Sequence, residues 1–383
     1  MASVVNAPVL FERTKTVVLK TNNTCNLKCT YCYDDDNKRD CPSKLDANVI
    51  SCIFDELISF SKHHGINHIN VIWHGGEPLL MGLNYFDQVV EIQNKSGFDF
   101  SNLIQTNGVS VNREWITFFR RNHFKIGVSF DGSILANNIH RQSSHTVVEN
   151  IKLLNDHSIF PSIISVISDN NHRYYKEMFD FFSQVKTEYV DLIPCYENNG
   201  KYSLSNRHYE DFMIPLFDMW WQSDKKINFR LFNNIIDVMN GTTTSHNFIT
   251  CSLTGQCGEI ISINSDQRLY FCDCLPKEES NCIGHLTEGL DNISGGKKYI
   301  ALRTLNAVTE SECNACEFLK ICGKGCLNRR IKNVIMKDYY CEARQSLFKH
   351  IMQTLQISNI HGDSKNAIPA FTRGPQPFDR QSN

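Results

Sequence analysis

Between residues 16 and 195, short apolar runs alternate with longer amphipathic ones. The short runs, at 16–19, 68–73, 102–105, 125–130, 161–167 and 189–194, are rich in Val, Ile and Phe. They are bounded by Gly, Asn, Asp or Pro, as buried parallel strands are. The clearest helical pattern covers 46–64, where Val49, Ile50, Ile53, Phe54, Leu57 and Ile58 share one face. Asp46 is placed to cap its N-terminus and Gly65 to end it. Five such crossovers joining six strands predict an α/β fold with a parallel sheet. The pattern alone does not separate an open sheet from a curled one.

After residue 205 the pattern changes. Residues 212–221 and 229–239 read as two amphipathic helices. From Cys251 to Cys341 the periodicity weakens and cysteines accumulate, as expected where metal sites stand in for a large apolar core. Beyond about residue 358 the chain is polar with scattered prolines, the composition of a disordered end. These changes divide the chain into 1–205, a helical bridge at 206–250, a cysteine-rich unit at 251–357 and a tail at 358–383. With 383 residues, a net charge of −2 and no long basic run, the chain has room for more than one domain. It lacks the charge signature of a nucleic-acid or membrane-surface binder. No apolar stretch reaches bilayer length, and no secretory signal core opens the chain. The sixteen cysteines therefore point to metal ligation in a reducing cytoplasm rather than to a disulfide scaffold.

Cys25, Cys29 and Cys32 carry the sharpest signal. Their C-x3-C-x2-C spacing puts three thiolates on one loop after the first strand. A cubane iron–sulfur cluster takes four thiolates, so three leave one iron open to a small molecule. The competing reading is structural zinc, which normally closes at four ligands. With an aromatic residue, Tyr31, before the third cysteine, the loop resembles the signature of the radical S-adenosylmethionine (SAM) enzymes. That resemblance implies a partial (β/α)6 barrel and a [4Fe-4S] cluster whose open iron binds the amino and carboxylate groups of SAM.

In the second half, the block Cys313-x2-Cys316-x5-Cys322-x3-Cys326 stands out, with Cys251, Cys257 and Cys272 before it and Cys341 after it. Eight thiolates suffice for two four-thiolate sites, holding clusters or zinc. The block resembles the SPASM auxiliary-cluster domain of peptide-modifying radical SAM enzymes. The resemblance implies one cluster on Cys251, Cys257, Cys272 and Cys326 and another on Cys313, Cys316, Cys322 and Cys341, hence three [4Fe-4S] clusters in all. Gln267 stands where the family usually has glycine in the first auxiliary loop. Cys41, Cys52, Cys195, Cys274 and Cys282 are left without a role.

Gly75-Gly76-Glu77-Pro78 follows the second strand, at the end where α/β barrels carry their sites. It is similar to the family's motif for the SAM amino group, the glycines permitting close approach and Glu77 accepting from the ammonium. Asn107 after the third strand, Ser129 ending the fourth, and Arg141 resemble further contacts along the SAM pocket. Asp131 is either another contact or a turn former. Asp273, next to Cys272, matches a Cys-Asp pair of the anaerobic sulfatase-maturating enzymes in which the Asp is the proposed base. Its other readings are a solvated loop carboxylate or a partner to the ligand. His74 stands where those maturases tend to have Gln, and is either a substrate contact or a satisfied core histidine.

The implied protein is an oxidoreductase fed by an external one-electron reductant of flavodoxin or ferredoxin type, acting on a side chain of a peptide or protein. Resemblance to the sulfatase maturases runs to about Cys341 and includes Lys201-Tyr202-Ser203-Leu204-Ser205. The same architecture serves maturases of ribosomally made peptides, which install thioether, ether or carbon–carbon cross-links, cyclophanes among them. Because His74 and Gln267 depart from the sulfatase-maturase pattern, the expectation is a cross-linking peptide maturase. Formylglycine formation from Ser or Cys is the alternative, favoured by a short N-terminal segment without room for a leader-binding domain. Peptide epimerisation with Cys195 or Cys274 as hydrogen donor is a third enzymatic reading. An iron–sulfur electron carrier is the non-enzymatic one, though a carrier needs neither an open iron nor a SAM pocket.

Overall fold

The structure is a computed structural model and describes residues 10–11, 15–34, 43–196, 200–224, 226–242, 250–255, 257–331 and 336–361. Six strands come first: β1 (Thr16–Lys20), β2 (His68–His74), β3 (Asp99–Thr106), β4 (Lys125–Ser129), β5 (Ser162–Ile167) and β6 (Val190–Pro194). They lie side by side in the order β6-β5-β4-β3-β2-β1, every neighbouring pair parallel. The crossovers are α1 (Ala47–His63), α2 (Leu83–Ser96), α3 (Arg113–Arg121), the pair α4 (Ile134–His140) and α5 (Ser144–Asp156), and α6 (Tyr175–Gln184). This is the α/β arrangement expected from the alternating runs. The order also answers what periodicity leaves open: the strands follow one another in sequence, so the right-handed crossovers all cover one face and the sheet curls, while β1 does not meet β6 and the barrel stays partial.

Local chemistry explains the element ends. Asp46 accepts from the N–H groups of Asn48 and Val49, both at 3.0 Å, and so starts α1. Ile50, Ile53, Phe54, Leu57 and Ile58 on that helix are buried against the sheet. Gly65 follows the helix end at φ +68°, a conformation that carries a penalty for any residue with a Cβ. The two later amphipathic patterns form α7 (Asn206–Gln222) and α8 (Arg230–Met239).

The free edge of β1 is taken by the cysteine-rich half. β7 (Ile260–Ile263) pairs parallel with β1, and β8 (Arg268–Tyr270) and β9 (Cys282–His285) continue antiparallel, giving one nine-stranded sheet. These strands are three or four residues long, too short for alternation to register in the sequence. They bury Ile261, Ile263, Leu269 and Ile283 in the same apolar core as the barrel strands, so this half is held by packing as well as by its cysteines. A final helix, Cys341–His361, packs on α7 and runs past residue 357. Cys41 and the expected tail from residue 362 lie outside the described residues. Among the described residues no helix is long and apolar enough to cross a membrane.

Phe86 on α2 is fully buried, with ring centroids of Trp73 at 5.5 Å, Trp115 at 5.7 Å, and Phe118 and Phe124 at 6.2 Å. Edge contacts of this kind add to simple area burial. Phe86→Ala should lower stability by about 3–5 kcal/mol, read by denaturant unfolding. A loss under about 1 kcal/mol would show that this cluster does not hold the barrel together.

Candidate active site

The C-terminal strand ends gather the site: Lys20 ends β1, His74 ends β2, Thr106 and Asn107 close β3, and Ser129 ends β4. The Cys25–Cys29–Cys32 loop leaves β1 and lies across these ends. Its first residues are stitched to the Gly75–Gly76 turn. Thr21 N donates to His74 O (2.9 Å), Gly76 N to Asn22 O (2.8 Å), Glu77 N to Thr24 O (2.8 Å) and Asn22 Nδ2 to Glu77 O (2.9 Å). A Cβ built on Gly76 would fall 2.0 Å from Thr24 O, and one on Gly75 2.5 Å from Asn22 O. The two glycines thus admit the backbone of the cysteine loop.

The other end of the loop is held by Tyr31, the aromatic residue before Cys32. Its hydroxyl donates to Asp131 Oδ2 (2.6 Å) and accepts from Arg141 Nε (2.5 Å). Thr30 bonds His140 through both backbone (3.0 Å) and side chain (2.6 Å). Asp131 is fully buried and also accepts from Val166 N, so its bonds are spent on structure. Arg141 supports the loop from below, while Asn107 Nδ2 reaches Asn26 Oδ1 (2.7 Å) and Cys25 Sγ (3.7 Å). Ser129 Oγ accepts from Gln105 Nε2 at 3.1 Å.

Glu77 is 1 % exposed. Its Oε1 accepts from Thr106 Oγ1 (2.6 Å) and Leu79 N (3.1 Å), and its Oε2 from Asn107 N (2.8 Å). Burial raises its pKa even so. Among the described residues it makes no ion pair, which leaves a buried carboxylate suited to a ligand ammonium.

Asp273 occupies the opposite side. Its Oδ1 pairs with Lys20 Nζ (3.1 Å) and Lys277 Nζ (3.4 Å), and its Oδ2 accepts from Tyr33 Oη (2.7 Å). It is no solvated loop carboxylate. Burial alone would raise its pKa, but the two ammonium groups prevail and hold it well below the usual range. Lys20 also pairs with Asp34 (3.0 Å) and lies 4.8 Å from the Tyr33 ring centre. His74 is near this group, its ring 6.5 Å from that of Tyr33; burial lowers its pKa. Its Nδ1 lies 2.8 Å from Gly75 N and 3.2 Å from Gly75 O. Lys20, Tyr33, Asp34 and Lys277 are absent from the sequence-based site. The one available signal is a lysine closing an otherwise apolar strand.

The remaining cysteines fall into two groups. Cys313, Cys316, Cys322 and Cys341 line one cavity. Burial pushes the Cys251 thiol up to about 12, and charge on Cys326 and Cys274 adds to it; Cys257 is raised in turn by burial, Cys326 and Cys251. Cys272 Sγ accepts from Cys274 N at 3.4 Å, so Cys274 stands with the first group as a fifth thiol. Asp338 ties the two groups by accepting from Cys326 N (2.8 Å) and pairing with Arg329 and Arg344. Gln267 sits at φ +63°, the conformation for which glycine is suited; the departure costs about 1 kcal/mol and leaves the turn intact. Among the described residues, no three cysteine sulfurs lie within 4.8 Å of one another. Thiolates sharing one zinc sit about 3.8 Å apart, from a Zn–S bond of ~2.3 Å. The cysteine groups as they stand are spread wider than the thiolates of a single zinc ion.

Comparison with known proteins agrees with this geometry. Residues 19–182 match the radical SAM superfamily. A cysteine-type anaerobic sulfatase-maturating enzyme of Clostridium novyi is 26 % identical over 362 residues, 87 % of this chain and 94 % of that protein. Native anSMEcpe with bound AdoMet and a peptide superposes with a TM-score of 0.79 at 22 % identity, over 90 % of this chain and 99 % of that one. Streptococcus suis SuiB bound to precursor peptide SuiA gives 0.59 at 16 %, over 86 % and 75 %. Both structural likenesses speak to the fold. The match over residues 19–182 agrees with a three-cysteine loop at the strand ends and a buried carboxylate beside it, and marks this part of the chain as a radical SAM domain.

Proposed function

We propose that this enzyme abstracts a hydrogen atom from a side chain of a ribosomally made peptide and oxidises it by two electrons, closing an intrapeptide cross-link. The observation that carries the oxidation is the placement of Asp273. It follows directly on an expected ligand of the first auxiliary site and bonds to Tyr33, which follows directly on Cys32. A substrate reaching the cavity would lie between the cysteine triad and this carboxylate.

When bound, the cluster at Cys25, Cys29 and Cys32 and the SAM it holds supply a 5′-deoxyadenosyl radical that takes the hydrogen atom. The chain's own residues do the rest. Glu77 receives the ammonium of SAM, and Asn107, Ser129 and Arg141 border its pocket. Asp273 takes the proton that the oxidised side chain must lose, and Tyr33, Lys20 and Lys277 fix its orientation. His74 stands near Asp273 and stays neutral. The auxiliary cysteine groups would hold two further clusters, giving the departing electron an acceptor; a flavodoxin- or ferredoxin-type reductant supplies the first electron. Peptide-bound relatives of the fold support a peptide as substrate.

Formylglycine formation from Cys or Ser is the second reading, favoured by the sulfatase-maturating activity of the Clostridium novyi relative, to which the chain is similar over nearly its whole length. The intact Gln267 turn removes one of the two departures that weighed against it. His74 remains, and it favours cross-linking.

Two outcomes test these assignments. Glu77→Gln should weaken SAM binding at least tenfold with cluster iron unchanged, read from the SAM-induced change in the reduced-cluster EPR signal. A charge-assisted hydrogen bond is worth about 1.5–3 kcal/mol, which sets that factor. Unaltered affinity would remove Glu77 from the SAM site. Anaerobic turnover with SAM, dithionite and a Cys-x-Pro-x-Arg peptide should yield 5′-deoxyadenosine without an aldehyde trapped by hydrazide. A trapped aldehyde at the Cys would establish the second reading and end the first.

A further inference from the structure

Lys20 is an ammonium in a place where a charge is costly. It ends the strand Thr-Val-Val-Leu-Lys, all five residues of which are buried, and its side chain is 3 % exposed. Transfer of an unpaired charge to such a site is prohibitive, so its two partners explain its presence. Asp34 follows Cys32 by two residues, and Asp273 follows Cys272 by one. Lys20 Nζ lies 3.0 Å from the first carboxylate and 3.1 Å from the second. One buried cation therefore joins the loop of the cysteine triad to the loop of the first auxiliary group.

The surrounding contacts all bear on the same junction. Tyr33, between Cys32 and Asp34, lays its ring 4.8 Å from Lys20 Nζ and donates its hydroxyl to the Asp273 oxygen that Lys20 does not use. Lys277 anchors the auxiliary loop from its own side, donating to the carbonyls of Cys272 (3.3 Å) and Asp273 (2.9 Å). The result is a quartet of two lysines and two aspartates without net charge. The backbone under Lys20 is rigid, since β1 pairs with β2 on one side and β7 on the other.

The geometry points to Lys20 as a positioning residue that ties the two cysteine loops together and thereby fixes Asp273 beside the loop of the cysteine triad. This rests on the reading of Asp273 as the proton acceptor, but the tie itself does not require that reading. Without the cation, the two carboxylates repel and the loops part. A role in packing alone makes the opposite forecast, because Met fills the space of Lys and Arg overfills it.

Hydrogen exchange of the cluster-loaded enzyme separates the two. Lys20→Met should raise exchange tenfold or more in residues 26–34 and 271–277 together while the β2 and β3 amides keep their protection. Lys20→Arg should restore most of the protection, and adding Asp34→Asn to Lys20→Met should restore part by removing one of the repelling charges. Loss of the buried cation should also move the midpoint potential of the neighbouring cluster to more negative values in Lys20→Met, with Arg reversing the shift. Wild-type exchange in Lys20→Met, a rise confined to one loop, or Lys20→Arg behaving worse than Met would overturn the assignment. Should Lys20→Met fail to take up its clusters, Asp34→Asn carries the test. Faster exchange at 271–277, on the other cysteine loop from that substitution, supports the tie, and unchanged exchange there defeats it. Wild-type peptide oxidation by Asp273→Asn would sink the base reading alone and leave the exchange result standing.

Discussion

The backbone of residues 22–24 rests so closely on Gly75 and Gly76 that no side chain fits at either position. Four hydrogen bonds close the seam between the two segments. This approach fixes where the cysteine triad leaves β1 and puts Glu77 beneath it. Glu77 in turn collects Thr106 and Asn107 from the third strand, and Asn107 reaches back to Cys25. A three-thiolate loop, a buried carboxylate and a strand end are thereby locked into one unit before any ligand arrives. Such preorganisation is what a site must supply when the cosubstrate carries the difficult step.

The second unit is electrostatic. Asp273 and Asp34 come from opposite cysteine loops and meet on Lys20, with Lys277 balancing the count. Buried ion pairs of this sort contribute little net stability, because desolvation takes back most of what attraction gives. Their value is geometric: each partner is held where only the other can satisfy it. The sheet completes the arrangement. Because β1 pairs with β7, the strand that carries Lys20 also carries the cysteine-rich half, and the two loops are braced by one continuous hydrogen-bonded surface.

Much of this was legible in the sequence. Six apolar runs mark the six parallel strands, and Asp46 and Gly65 mark the ends of the first helix. The cysteine spacings and Gly-Gly-Glu-Pro locate the site because each needs several residue types at fixed separations. What was not legible has a physical cause in each case. Strands β7, β8 and β9 are too short for alternation. The role of Gly75 and Gly76 is visible only once the chain that lies on them is known. Lys20 is separated by fourteen residues from Asp34 and by far more from Asp273, so only the fold brings the three together. Gln267 carries the opposite lesson: a departure in residue type still takes the left-handed conformation for which glycine is suited.

The central proposal is that the three cysteine groups each hold a [4Fe-4S] cluster, the triad open for SAM and the other two closed by four thiolates each. Mössbauer spectroscopy of the anaerobically reconstituted enzyme, with metal analysis on the same sample, tests it most directly. The account predicts about twelve irons per chain, all in [4Fe-4S] form, with one cluster's signal altered by SAM. Iron for a single cubane, with zinc in the remaining cysteine sites, would contradict it.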